Sequence, residues 1–267
     1  MKKLVFTITL LMGAILLTAC GSDENDAATG SDTQDLLASI QDSGELLIGT
    51  EGTYPPFTFH NDEGKLTGFD VEIAEEIAKR LDVEPKFMET QWDAMFAGLD
   101  SKRFDMIVNQ VGIRPDREEK YDFSSPYITS AAVLVTSKEN NDVKGFDDMK
   151  GLKSAQSLTS NYADIARENG AEIVGVEGFN QAIELLNSGR VDVTVNDKLS
   201  VLDFQKQKPD ANIQIVAQAD DAAESGIMFR KGNESLVEAV NEALNDMIED
   251  GTYDTISEKW FGENVLE

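Results

Sequence analysis

The strongest constraint on the fold of this chain is the alternation of short apolar runs with segments of helical periodicity. Runs at 46–49, 86–88 and 106–108 are typical of buried or half-buried strands. Between them, apolar residues recur at helical spacing and predict helices over 70–81 and 92–101. Because strands and helices alternate, this order predicts a mostly parallel sheet covered by helices.

The same alternation restarts after Tyr127. Further strands are predicted at 133–136, 173–176, 191–195 and 213–216, and further helices at 161–168, 179–186 and 200–207. The chain then returns with a strand at 227–229, a helix at 233–249 and a last helix that ends near Trp260. Two similar halves predict an α/β fold with two lobes.

Charge and residue usage narrow the classes of function. The chain has 23 Lys and Arg against 50 Asp and Glu, which gives a net charge of −27. Binding to nucleic acid needs clustered cations that displace counterions, so no nucleic-acid partner is expected. One cysteine excludes an intrachain disulfide, and one histidine removes most zinc sites and most Ser–His or Cys–His catalysis.

The N-terminus has the pattern of an export signal. Lys2 and Lys3 precede an apolar run, Leu4–Leu17, that is shorter than the ~20 residues a bilayer-spanning helix requires. Residues 1–19 are therefore predicted to be a signal peptide. The sequence at Cys20 resembles a bacterial lipobox, which implies cleavage before Cys20 and a diacylglyceryl anchor on its sulfur; a signal peptide with an incidental cysteine is the alternative. Residues 20–44 are predicted to be the lipidated cysteine and a flexible acidic linker.

Candidate binding residues lie where predicted strands end. In open parallel sheets, ligands bind outside the carboxyl ends of the strands. The segments expected there are 51–54, 90–92, 109–117, 157–161 and 196–197.

Five segments carry a resemblance to a known family. They are Gly49–Phe57, Gly68–Val71, Phe123–Tyr127, Asp250–Tyr253 and Lys259–Gly262. In this order they resemble the polar amino-acid solute-binding proteins of ABC importers, the bacterial solute-binding protein family 3. Within this family, the L-cystine-binding branch is the one most similar to this chain at residues 90–93, 101–105 and 109–111.

The resemblance implies a type II periplasmic-binding-protein-like fold, in which two α/β lobes are joined by two crossover strands and close over a ligand in the cleft. Lobe 1 would comprise residues 45–129 plus 224–267, and lobe 2 residues 130–223. The implied function is capture of an amino acid, with cystine favoured, and its delivery to an ABC permease and its ATPase. The implied protein is monomeric and extracytoplasmic, is anchored to the cell membrane, has no metal or cofactor, and is not an enzyme.

The resemblance also implies roles for charged and aromatic residues. It places Arg117 on the ligand carboxylate, where a guanidinium can donate two parallel hydrogen bonds, and Asp197 on the α-ammonium group. From the residues alone, Arg117 could instead form a surface salt bridge within the charged run 114–120. A solvated surface carboxylate is the alternative for Asp197, although it follows the apolar strand at 191–195. Tyr54 and Trp92 match two aromatic walls around the ligand, with core packing as the alternative.

Polar residues complete the predicted site. Ser160 and Asn161 open a helix, where free N–H groups favour a carboxylate, although plain N-capping would use the same residues. Ser157 in the same loop is a further candidate, and Glu51 matches a position that often meets the ligand side chain or amine. The remaining candidates are Asn109, Gln110 and Gly112, and Gly112 lacks the hydroxyl that many relatives carry there.

An enzyme of the dehydratase type on the same fold is the alternative function. Such chemistry needs a proton donor that faces the leaving group of the substrate. His60 lies in a polar turn, where we expect it to be exposed.

Overall fold

The computed structural model describes residues 35–266. The predicted signal peptide, Cys20 and the linker up to residue 34 lie outside the described residues. Among residues 35–266, every helix is too short or too polar to cross a membrane.

Nine α-helices and twelve strands occur in the described part of the chain. The helices are α1 (Leu36–Ser43), α2 (Phe69–Arg80), α3 (Trp92–Asp100), α4 (Pro115–Glu118), α5 (Asn161–Glu168), α6 (Phe179–Asn187), α7 (Lys198–Gln207), α8 (Glu234–Glu249) and α9 (Thr252–Phe261). The strands are β1 (Glu45–Thr50), β2 (Thr53–Tyr54), β3 (Thr58–His60), β4 (Leu66–Thr67), β5 (Glu84–Glu89), β6 (Met106–Gly112), β7 (Tyr121–Phe123), β8 (Ile128–Ser137), β9 (Lys153–Gln156), β10 (Glu172–Gly175), β11 (Val193–Asp197) and β12 (Ile213–Arg230). A 3₁₀-helix spans Phe146–Met149.

One curled, mixed sheet runs through both lobes. Its strand order is β10-β9-β11-β8-β12-β6-β1-β5, and β7 also pairs with β12. We call the part around β1, β5 and β6 the first lobe and the part around β9, β10 and β11 the second lobe. The long strands β8 and β12 pair with each other and join the two. The chain is thus an α/β protein whose two lobes are joined by two long strands, while the lobe boundaries given above stay a prediction.

The prediction of a mostly parallel sheet, which came from the alternation of strands and helices up to residue 108, is confirmed for those strands. β1 is parallel to β5 and β6, and β9 is parallel to β10 and β11. In the centre, β12 is antiparallel to both β6 and β8, and β11 is antiparallel to β8. The antiparallel pairs arise because β8 and β12 enter the sheet as crossovers between lobes rather than as members of β-α-β units.

The helices form as their sequence patterns indicate. In α2, Ile73, Ala74 and Ile77 are buried on one face, while acidic residues begin the helix and Lys79 and Arg80 end it. This charge order complements the helix dipole. Burial of such a face against the sheet supplies most of the stability of a helix this short.

Residues 36–43 correct the predicted extent of the linker. The linker was expected to continue to residue 44, but Leu36–Ser43 forms α1. The Asp35 side chain accepts a hydrogen bond from Leu37 N and caps the helix, and Ile40 is buried in the core. The prediction failed because polar residues surround these few apolar ones, and only packing against the lobe makes so short a helix stable.

Candidate functional site

A cavity lies where the strand ends of the two lobes meet. About 450 Å³ of atom-free space lies there, part of it open to solvent. Its lining residues come from both lobes and are Glu51, Tyr54, Trp92, Asn109, Gln110, Gln156, Ser157, Ser160, Asn161, Tyr162, Gly178, Phe179 and Asn196. Eight of the eleven residues predicted for the ligand site are therefore brought together in one cavity.

Glu51 lies at the end of β1 and is the acidic residue in this lining. Asn109 Nδ2 donates to Glu51 Oε2 at 2.8 Å, and Glu51 N donates back to Asn109 Oδ1 at 2.8 Å. Burial raises the pKa of the Glu51 carboxyl to about 7, although the bond from Asn109 opposes the rise. A carboxylate held this way gains if a cationic group of a ligand comes beside it.

Tyr54 and Trp92, the two residues predicted to form aromatic walls, lie at the cavity. Tyr54 and Trp92 are both buried, at 8% and 7% exposure, and both line the cavity. The Tyr54 hydroxyl donates to Asn196 Oδ1 in the second lobe at 2.8 Å. The Trp92 Nε1–H group is buried without a hydrogen-bond partner in the described structure. Both side chains also pack in hydrophobic clusters, Tyr54 against Phe57 and Trp92 against Phe96, so core packing and a place in the cavity wall occur together.

Arg117 is buried beside the cavity rather than in its lining. Its guanidinium stacks on Trp92, with 5.5 Å from Cζ to the ring centroid, and on Phe96 at 5.4 Å. Its Nη1 donates to Gly112 O at 3.0 Å, so Gly112 meets Arg117 and does not itself reach the cavity. Within residues 35–266, no carboxylate lies within ion-pair distance of Arg117. Burial, with repulsion from Arg114, lowers its pKa to about 10.

Asp197 is likewise buried just outside the lining. It is the N-cap of α7, and its Oδ1 accepts from Leu199 N at 2.8 Å and Ser200 N at 3.3 Å. Its Oδ2 accepts from the Tyr162 hydroxyl at 3.4 Å. Burial raises its pKa to about 6 despite these hydrogen bonds.

Each of the two predicted charges contacts a residue of the cavity lining. The Arg117 guanidinium stacks on Trp92, and Asp197 accepts from the Tyr162 hydroxyl. Both charges therefore lie one side chain away from the cavity, and their role as a pair that clamps a zwitterion stays a prediction.

The loop before α5 lines the cavity with Ser157, Ser160 and Asn161, but the Ser160 hydroxyl already has hydrogen-bond partners in the protein. Ser160 Oγ accepts from Ala163 N at 3.1 Å and donates to Ser157 O at 2.9 Å, which is N-capping. The backbone N–H groups of Asn161 and Tyr162 have no protein acceptor in the described structure. An anion at this end of the cavity would meet these N–H groups rather than the Ser160 hydroxyl.

Several hydrogen bonds span the cleft. Asp93 Oδ1 accepts from Thr159 N at 3.0 Å and from Thr159 Oγ1 at 2.8 Å, and Asp93 Oδ2 accepts from Leu158 N at 3.2 Å. Arg114 Nη1 donates to Asp164 Oδ2 at 3.0 Å. Ser200 Oγ donates to Pro55 O at 2.7 Å. These contacts hold the lobes together, so the structure is the closed arrangement.

Five lining residues were not named as ligand-binding candidates: Gln156, Tyr162, Gly178, Phe179 and Asn196. Asn196 belongs to the segment 196–197 that was expected at a strand end, and the same rule could have found Gln156, which ends β9. Tyr162, Gly178 and Phe179 belong to helix starts of the second lobe, and no local signal separates them from core or cap residues. A Cβ at Gly178 would lie 3.6 Å from Glu51 Oε1, which shows how closely the lobes approach there.

His60, the residue considered for an enzyme alternative, lies outside this lining. It is exposed, with Nε2 3.2 Å from Glu89 Oε1 and Nδ1 3.2 Å from Gly52 O. No observation at the cavity therefore assigns a proton-donating role to His60.

Comparisons with known proteins agree with this geometry. Residues 46–263 match the family described as bacterial extracellular solute-binding proteins, family 3. The chain is 51% identical to the L-cystine-binding protein TcyA of Bacillus subtilis over 267 residues, 99% of each chain.

For two solved structures, sequence identity to this chain and structural similarity to it do not follow the same order. An ancestral arginine-binding protein bound to arginine is 38% identical, with a TM-score of 0.78 over 82% of this chain and 98% of that one. The L-cystine solute receptor of Neisseria gonorrhoeae, in an unliganded open conformation, is 44% identical but has a TM-score of only 0.57 over 86% and 99% of the two chains. The lower structural similarity at higher identity fits a different lobe arrangement here, in agreement with the bonds across the cleft.

Proposed function

The chain belongs to the bacterial extracellular solute-binding proteins, family 3, and we propose that it captures L-cystine outside the cytoplasm for an ABC importer. The observation that carries the proposal is a pair of buried opposite charges beside the cavity, since Arg117 stacks on Trp92 and Asp197 accepts from Tyr162, and both aromatic residues line it. Neither has an opposite charge within ion-pair distance among residues 35–266. Buried charges without partners are costly, and a bound zwitterion would supply a partner to each.

Arg117 has unused capacity for a carboxylate. One of its five N–H donors is bonded to Gly112, and the others have no protein acceptor in the described structure. A carboxylate can accept two parallel bonds from such a fork. We propose that Arg117 binds the α-carboxylate of the ligand and that Asp197 accepts from its α-ammonium group.

The remainder of the cavity favours a ligand with a second polar end. Cystine carries an ammonium and a carboxylate at each end. Glu51 lies in the cavity as a carboxylate whose pKa burial has raised, so a second ammonium group beside it would be stabilised. Similarity to the cystine-binding TcyA protein supports the same ligand. Asn109, Asn161 and Asn196 supply neutral hydrogen-bonding groups around it.

A calorimetric panel tests the ligand. Cystine, arginine, glutamine and leucine are titrated into the purified protein, and the melting temperature is measured with each. Cystine at a hundred times its Kd should stabilise the fold by about 2.7 kcal/mol. Binding of arginine alone would leave an amino-acid-binding function but remove cystine, whereas no binding of any amino acid would remove the function. Arg117→Ala should lose at least tenfold in affinity, since a charged hydrogen-bonded pair is worth ~1.5–3 kcal/mol.

We further propose that Cys20 carries a lipid and that the closed form docks on a membrane permease driven by an ATPase. The pattern at Cys20 and membership of an extracellular family support this location. Mass spectrometry of the mature N-terminus tests the anchor: a diacylglyceryl adduct on Cys20 is expected, and Cys20→Ala should release the protein from membranes. An unmodified cysteine in membrane-associated protein would contradict the proposal.

A further inference from the structure

Gln110 has a backbone conformation that residues other than glycine rarely adopt. Its φ angle is +54°, although it lies within strand β6. Such a left-handed conformation at a side chain longer than Asn is unfavourable and persists only where the surroundings impose it. Because Gln110 also lines the cavity, whatever imposes this conformation shapes the cavity wall.

Two buried side chains hold Gln110. Its Nε2 donates to Asp70 Oδ1 at 2.7 Å, and the Tyr127 hydroxyl donates to the same oxygen at 3.0 Å. Gln110 N donates to the Tyr127 hydroxyl at 3.3 Å. Asp70 and Tyr127 are each 1% exposed. Asp70 is fixed in turn, because Asp70 N donates to Phe57 O at 2.9 Å at the start of α2.

Asp70 has no counterion in the described structure. Among residues 35–266 no Lys, Arg or His lies within ion-pair distance of it, and its Oδ2 is buried without a hydrogen-bond partner. The titratable groups that face it are Tyr127, Tyr253 and Asp197, none of which is a cation. An apolar or amide side chain would avoid this cost, so stability alone does not explain a carboxylate at this position.

We propose that Asp70 is a positioning residue for ligand binding: its carboxylate, with the Tyr127 hydroxyl, holds Gln110 in the left-handed conformation in which it lines the cavity. The inference rests on the proposed function, because it concerns the same cavity. Hydrogen bonds to an ionised carboxylate are stronger than those to a neutral group, so the charge of Asp70 is what keeps Gln110 in place.

The charge of Asp70 depends on pH. Burial raises the pKa of this carboxyl to about 7, although the bonds from Gln110 and Tyr127 oppose the rise. At pH 8 the wild type holds Gln110 with a carboxylate, and at pH 5 with a neutral acid. Asp70→Asn is neutral at both pH values and keeps one oxygen that can accept from Gln110 and Tyr127.

The test compares Asp70→Asn and Tyr127→Phe with Asp105→Asn as the matched control. Asp105 is also a buried carboxylate of the first lobe, where its Oδ2 accepts from Leu47 N at 3.0 Å, but it does not line the cavity. L-cystine is titrated into each purified variant by calorimetry at pH 5 and pH 8. Hydrogen exchange is measured in parallel on the peptide that covers residues 106–112.

We expect the Kd of Asp70→Asn for cystine to rise five- to tenfold at pH 8, and to lie within about twofold of the wild type at pH 5. Its 106–112 peptide should exchange faster at pH 8, while the unliganded melting temperature should not fall, since a buried unpaired charge has been removed. Tyr127→Phe should weaken binding at both pH values, and Asp105→Asn should bind within about twofold of the wild type.

Two results would overturn the positioning role. One is an Asp70→Asn protein that binds cystine as the wild type does at pH 8, and the other is unchanged exchange in residues 106–112. If the wild type binds no amino acid, the proposed function fails by itself. The exchange measurement then still decides, because faster exchange supports the hold on Gln110 and unchanged exchange refutes it.

Discussion

Removal of the Asp93 side chain should weaken the binding of every ligand by the same factor. Asp93 accepts three hydrogen bonds from Leu158 and Thr159 across the cleft, and it is not part of the cavity lining. These bonds exist only when the lobes are closed. Asp93→Ala therefore raises the free energy of the closed state and leaves the ligand contacts unchanged, so the apparent affinity falls through the closure equilibrium.

The expected loss of affinity in Asp93→Ala follows from the solvent exposure of Asp93. Asp93 is exposed, so each bond is assigned the lower end of the usual range, about 0.5 kcal/mol, and the three together about 1.5 kcal/mol. This corresponds to a Kd roughly tenfold higher. Asp93→Asn keeps Oδ1, which accepts both bonds from Thr159, and should lose only about threefold.

Calorimetry with two ligands of different affinity provides the assay. Asp100→Ala is the matched control, because Asp100 is an exposed residue of the same helix that accepts from the Tyr121 hydroxyl within the first lobe. The control should bind as the wild type does. The reasoning fails if Asp93→Ala binds with the wild-type Kd, or if its loss differs between the two ligands by more than the error of the fit.

Three other predictions concern a hydrogen bond across the cleft, the pH dependence of stability and a glycine with a positive φ angle. Tyr54→Phe removes the 2.8 Å bond to Asn196 across the cleft and should raise the Kd about fivefold without lowering the unliganded melting temperature; a melting temperature that falls with unchanged affinity would contradict this role. Burial raises the pKa values of Glu51 and Asp197 to about 7 and about 6, so the folded state holds these protons more tightly than the unfolded chain. This contribution to the free energy of unfolding is fully present below about pH 4 and is lost as pH rises through 6 to 7. Urea titrations should therefore give a higher free energy of unfolding at pH 5 than at pH 8, and Glu51→Gln should reduce the difference between the two pH values. Gly68→Ala should unfold the protein or destabilise it by more than 3 kcal/mol, since its φ is +133° and a Cβ would lie 2.1 Å from Phe57 O. Gly64→Ala, with a φ of +75° and open space for a Cβ, is the control and should cost only about 1 kcal/mol in the same urea titrations.

The sequence alone was sufficient for most helices and strands within each lobe, because their signals are local. The pattern of buried residues in α2 and the apolar strand β1 are properties of neighbouring residues, and they do not depend on the rest of the chain. Where tertiary contacts decide, local patterns were not enough. The helix α1 was assigned to a linker, and the antiparallel pairing of β8 with β12 has no signal in the alternation of strands and helices.

The candidate site also has parts that the sequence could locate and parts that only the tertiary structure could place. Strand ends and the family resemblance were enough to locate Glu51, Tyr54 and Trp92 around one cavity. They could not distinguish residues that line the cavity from Arg117 and Asp197, which border it from behind the lining. That distinction depends on side-chain packing across the cleft, which no local pattern encodes.

The sequence by itself indicated the family, through the resemblance of five segments. It also determined the two α/β halves and the loops at strand ends, because periodicity and strand ends are local properties of the chain. Only the tertiary structure showed that Asp70 and Tyr127 hold Gln110, and that Asp93 bonds to Thr159 across the cleft. These partners are far apart in the chain, and their interaction depends on angles and distances that are fixed only when both lobes have folded and closed.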